Sequence, residues 1–217
     1  MSRYPVQVPG QQPDPASVDK ILRGLATGTF GQGGEVVDTP YYDTQYIQTA
    51  VNSYTYFTAG IGQPFQYATA GNKTNSNTNI RTAPMVSRGQ KFICQSISVE
   101  AIPVALLTGA LLVSWIKFLQ NSVLALRIEN KDYIYQSTLA SIMGINFGCA
   151  AEEAVATGVL STNMQNFVQK EKKLRIPIVI AEQVQFRGEL NCDVTPDAGL
   201  NASLLKVRLN GIRVRAN

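Results

Sequence analysis

The chain contains no histidine. That removes the general base of Ser-His-Asp and Cys-His sites and the usual ligand of catalytic zinc. Acid–base chemistry would then fall to carboxylates. Glu152 and Glu153 are adjacent, so on a helix they point about 100° apart and do not face a common substrate. Glu182, Glu189 and Asp193 fall on the polar side of a strand or in a turn, where solvated surface acids are expected. No acidic run has calcium-loop spacing. Cys94, Cys149 and Cys192 are odd in number and far apart, with no CxxC pair. Neither a zinc site nor a disulfide framework is expected from them. Cys94 and Cys192 sit in apolar strand patterns as buried thiols do, and this cysteine usage fits assembly in a cytoplasm. The glycine-rich stretch 28–34 lacks the Lys-Ser/Thr of a phosphate loop and follows no strand, so it reads as a flexible connection. The residues therefore predict no enzyme, no cofactor and no metal.

Charge gives the next constraint. The net charge is +4, with 16% charged and 45% hydrophobic residues. From Lys170 to Asn217 there are nine Lys/Arg and five Asp/Glu, which accounts for the whole excess. Residues 1–45 hold three basic and five acidic side chains, so the N-terminus has no basic block for nucleic acid, and direct nucleic-acid binding is not expected. Asn, Gln, Ser and Thr fill the polar surface instead. Such a surface costs little charge desolvation when copies of the chain meet.

The elements that would position any surface are mostly strands. Leu174, Ile176, Ile178 and Ile180 alternate with Arg175, Pro177 and Val179, which places the four on one inward face. Val184, Phe186, Leu190 and Cys192 alternate with Gln183, Gln185, Arg187 and Glu189. Val207 and Leu209 occupy odd positions and Ile212 and Val214 even ones, so a β-bulge is expected at Asn210-Gly211, with Arg213 and Arg215 outward. Further strands are read in 41–59, in 91–102 with Ile93, Ile97 and Val99 on one face, and in the hairpin from Leu124 to Tyr135. An eighth is inferred in 159–169. Residues 60–90 read as a long surface loop, of the kind that is usually functional or interface-forming. The apolar run 104–120 reads as a buried or interface helix over 107–120, since strands on both sides leave no room for a membrane span. Residues 137–158 read as partly helical.

Ahead of these strands lies an arm, 1–40. Residues 1–16 are rich in Pro and Gln and read as extended. Asp14-Pro15 makes a helix start, and Val18, Ile21, Leu22 and Leu25 follow at i, i+3, i+4 and i+7. A helix this short needs a partner surface, whether its own domain, a neighbour or a membrane. These four residues and Arg213 are the candidate subunit-interface residues.

The order of features resembles a jelly-roll capsid protein. The arm leads to Tyr54-Thr-Tyr-Phe-Thr-Ala-Gly-Ile-Gly62, and an Asn/Thr-rich loop to Gln90-Lys-Phe-Ile-Cys-Gln-Ser-Ile-Ser-Val-Glu-Ala-Ile-Pro103. The apolar helix precedes Leu126-Arg-Ile-Glu-Asn-Lys-Asp-Tyr-Ile-Tyr135. Leu174–Ile180, Val184-Gln-Phe186 and Val207–Arg215 close the chain. Over residues 45–217 this is similar to the shell proteins of tailless icosahedral bacteriophages, some with an internal membrane. The resemblance implies an all-β fold: a single eight-stranded jelly-roll sandwich over 41–217, with one or two inserted helices behind the arm 1–40. It implies a structural subunit, either a major capsid protein or a penton. Its partners would be copies of itself and other capsid proteins, and its place the virion, assembled in the host cytoplasm. The alternative reading is a phage receptor- or glycan-binding module that stacks sugars on exposed Tyr41, Tyr42 and Tyr46.

Overall fold

The computed structural model describes residues 35–67, 71–81, 85–104, 109–129, 131–143 and 171–215. The candidate residues Val18, Ile21, Leu22 and Leu25, together with Cys149, Glu152, Glu153 and the strand expected in 159–169, lie outside them. The described strands are β1 (Glu35–Asp38), β2 (Tyr41–Tyr46), β3 (Ser53–Tyr56), β4 (Gln90–Ile102), β5 (Ser122–Ile128), β6 (Lys131–Thr138), β7 (Lys172–Ile180), β8 (Phe186–Cys192) and β9 (Leu204–Arg215). Two described α-helices join them, α1 (Gly109–Gln120) and α2 (Leu139–Met143).

The fold is all-β and built as two antiparallel sheets. One runs β1-β9-β4-β7, with β2 also paired to β9, and the other runs β3-β8-β5-β6. The first strand is broken rather than single. Pro40 donates no ladder hydrogen bond, and β1 pairs with β9 at Ile212–Arg215 while β2 pairs with it at Leu204–Leu209. The sheet therefore begins at Glu35, inside the region read as arm, and the described residues hold nine strands where eight were expected. Four pairs, β2 with β9, β3 with β8, β4 with β7 and β5 with β6, nest inside one another.

Alternation places the core. Leu124, Leu126 and Ile128 on β5, Phe186, Leu190 and Cys192 on β8, and Leu205, Val207 and Leu209 on β9 meet between the sheets. Tyr54 and Tyr56 enter from β3. Phe57, which strict alternation would turn to the opposite face, joins them because its backbone turns to φ 67° as the strand ends. Its ring then lies 5.5 Å from that of Phe186. Helix α1 buries Leu112, Trp115, Phe118 and Leu119. No helix among the described residues is long and apolar enough to cross a membrane.

Two strand readings are corrected. β9 carries no bulge: it runs in unbroken register from Leu204 to Arg215. The extra residue is Gln95 on β4, between Cys94 opposite Gly211 and Ser96 opposite Asn210. The parity change therefore belongs to β4, where Phe92 and Cys94, then Ile97 and Val99, face the core. Ile93 is turned to the other face, and with it Ile212 and Val214, because cross-strand partners share a face. Arg213, expected outward, lies opposite Phe92 on the core side, its guanidinium carbon 4.7 Å from the centre of the Tyr41 ring.

The second correction concerns β7. Ile178 pairs with Cys94 and Lys173 with Ser96, so Leu174–Pro177 loop out of the ladder. Pro177 lacks the N–H that pairing would use, and β7 is an edge strand that tolerates the loss. Ile180 is fully buried, but Ile176 is 78% exposed rather than inward. Ile180→Ala is expected to cost about 2–5 kcal/mol. Ile176→Ala should stay within about 0.5 kcal/mol, as exposed substitutions do. Urea denaturation of the two variants measures the contrast, and equal losses would contradict this register.

Candidate interaction surfaces

The inward parity of β2 carries an acid. Asp43 stands between Tyr41 and Gln45 on that parity, fully buried. A buried charge must be partnered. Its partner is Lys73, whose Nζ lies 2.6 Å from Asp43 Oδ1 with neither side chain exposed. The other carboxylate oxygen, Oδ2, accepts the Phe57 N–H at 2.7 Å. The Lys73 ammonium sits 5.6 Å from the centre of the Phe65 ring. Burial pushes the Asp43 carboxyl up from its ordinary value, against the opposing pull of Lys73. Sequence reasoning passed over both residues. The available signal was an acid on a core-facing strand position together with Lys73 as the only Lys, Arg, Asp or Glu between Thr44 and Ile80.

This pair fixes the long connection after β3. The chain doubles back on itself: Gly62 N–H donates to Lys73 O at 2.8 Å, Lys73 N–H to Gln63 O at 2.8 Å and Ile61 N–H to Ile80 O at 2.8 Å. Side chains then pin it to β2. Thr44 Oγ1 donates to Asn77 O at 2.8 Å, Tyr42 Oη to Asn75 O at 2.5 Å, and Asn79 Nδ2 to Pro40 O at 2.6 Å. The Asn/Thr-rich segment 71–80 is thus a preformed flap, with polar-neutral side chains of the kind that association buries cheaply.

A second surface lies on the face of the larger sheet turned away from the core. Val36 pairs with Val214, and Ile93 sits between Ile212 and Val179. Val36 is 52% and Val179 43% exposed, whereas Ile93 and Val214 are buried. Apolar residues from four strands therefore line one stretch of this face, beside Glu35. Only Val36 and Val179, at its two edges, are open to a partner, while Ile93 and Val214 between them are already covered.

The acidic side chains serve structure. Glu189 receives Arg187 at 2.7 Å and Arg127 at 3.1 Å, and Glu100 receives Arg208 at 2.9 Å. Glu182 accepts the Gly89 N–H at 2.5 Å. Asp197 caps the 3-10 turn Ala198–Leu200. Arg215 meets Glu35 of its own chain at 3.7 Å. Among the described residues no group of His, Cys, Asp or Glu is arranged to hold a metal. A void of about 10 Å³ lined by Phe57, Ile97, Leu126 and Val207 is apolar and barely water-sized.

The tyrosines of the glycan reading are already engaged. Tyr41 is buried, 4.8 Å edge-on from Phe92, and Tyr46 lies 4.6 Å from Phe65. Tyr42 Oη is spent on the flap. They form no exposed stacking platform.

Cys94 and Cys192 are free and buried. Burial pushes their thiols up to about 12 and about 11. Reaction needs the thiolate. Both are therefore expected to resist iodoacetamide at neutral pH in the native protein and to react fully once unfolded. Rapid native labelling at either, read by peptide mass, would contradict this packing.

No protein-family model, curated protein or solved structure matches the chain.

Proposed function

We propose that the chain is a single jelly-roll shell subunit of an icosahedral virion. The observation that carries this reading is the strand order, β2-β9-β4-β7 facing β3-β8-β5-β6. Four nested antiparallel pairs are what a long hairpin gives when it rolls into two sheets, the arrangement of double-sheet capsid and lectin domains. Between those two, capsid is favoured by the exposed Val36 and Val179 on the outer sheet face and by the engaged state of the tyrosines that sugar stacking would use. The subunit associates with copies of itself and with other capsid proteins, as a major capsid protein or a penton. The flap 71–80 and the exposed Val36 and Val179 supply contact area, and the arm bridges neighbours through Val18, Ile21, Leu22 and Leu25. Assembly takes place in the host cytoplasm, and the mature location is the virion, with or without a membrane beneath the shell.

The experiment compares the full chain with residues 35–217. The shorter form keeps β1 and is expected to retain the β-rich circular dichroism of the parent. By sedimentation velocity it should remain small while the full chain forms large species. If both forms stay small and bind immobilised glycans, the binding-module reading replaces this one.

A further inference from the structure

We propose that Asp43 and Lys73 join into an intramolecular amide, a covalent staple between β2 and the flap. The inference is independent of what the protein assembles into. Three features meet at this site. Nζ and Oδ1 are 2.6 Å apart, with both side chains fully buried. The second carboxylate oxygen is held by the Phe57 N–H at 2.7 Å, a backbone donor aimed where negative charge develops when the carbonyl carbon is attacked. The Tyr56 hydroxyl is buried without a hydrogen-bond partner, and the charge of Asp43 acts on it.

The step balances without a co-reactant. The ammonium first passes a proton to the carboxylate, whose protonated form burial favours, giving amine and acid. The Nζ lone pair attacks Cγ and the C–N bond forms. The bond from Cγ to the protonated oxygen breaks, and that oxygen departs as water with a second proton from Nζ. An ammonium and a carboxylate thus become one amide and one water, with nothing oxidised or reduced. Fixed geometry supplies the drive: well-oriented intramolecular pairs reach effective concentrations of roughly 10⁵–10⁸ M. The apolar walls of Phe57 and Phe65 keep bulk water from reversing the reaction.

The staple would close the chain from 43 to 73 and hold the flap in place when the subunit is otherwise unfolded. The test is intact mass of the purified full chain under denaturing, reducing conditions, followed by peptide sequencing. The expected result is a species lighter than the sequence mass by one water, with one branched peptide containing both Asp43 and Lys73. Lys73→Arg, which keeps the cation but cannot form this amide, should show the full sequence mass. A wild-type chain at full sequence mass overturns the proposal. So does a water loss that peptide sequencing places elsewhere.

Discussion

Gly211→Ala is expected to abolish folding or to cost about 4 kcal/mol or more, the range reserved for severe backbone or core conflicts. A β-carbon at this position would stand 2.0 Å from the carbonyl oxygen of Ile93, 2.9 Å from its carbonyl carbon and 3.0 Å from the Cα of Cys94. All three are backbone atoms of β4, so no side chain can swing aside. The close approach lies next to the bulge at Gln95. β9 lies between β4 on one side and β1 and β2 on the other, so moving it would disturb three ladders at once. Asn210→Ala, one residue away, loses only side-chain hydrogen bonds such as the one to Ser98 Oγ at 3.2 Å. It should cost about 1 kcal/mol. Urea denaturation of both variants decides the point. A Gly211→Ala protein as stable as Asn210→Ala would mean that the two strands do not approach as described.

The second large effect is expected at the buried pair. Lys73→Met leaves the Asp43 carboxyl enclosed with only the Phe57 N–H for support, and should cost about 3–5 kcal/mol. Asp43→Ala strands the Lys73 ammonium against Phe65 and should cost a similar amount. Replacing both, as Asp43→Leu with Lys73→Met, leaves no unpartnered charge in the interior. Such swaps of a buried pair for apolar side chains are often neutral or stabilising. The double variant should therefore be more stable than either single one. Single variants within about 1 kcal/mol of the parent would show that the flap is held by its polar hydrogen bonds and not by this pair.

The contrast between these two sites and the sheets explains what could be read in advance. β5, β8 and the body of β4 and β9 follow period two, and alternation alone places their buried faces. Alternation fails where both faces of a sheet are apolar. Ile212 and Val214 follow Leu209 with shifted parity, which reads as a slip in β9. In fact both faces of this end of the sheet carry apolar side chains, and the slip is in β4 at Gln95. Ile176 has the right parity for the core, but a loop-out at Pro177 is invisible to a pattern of residue types. Asp43 and Lys73 are 30 residues apart, and only the doubling-back of 61–80 brings them together. Arg213 was legible as a strand residue and misplaced by the same parity error. It covers Tyr41 from the core side instead of reaching out to a neighbour.

The central claim is that the nested two-sheet fold serves a self-associating shell. Electron microscopy of the purified full-length chain, negatively stained over a range of concentrations, tests it most directly. Ring-shaped capsomers or closed shells of uniform diameter are predicted, with Val36 and Val179 buried between neighbours. A particle that stays a single-chain globule at every concentration would contradict the account.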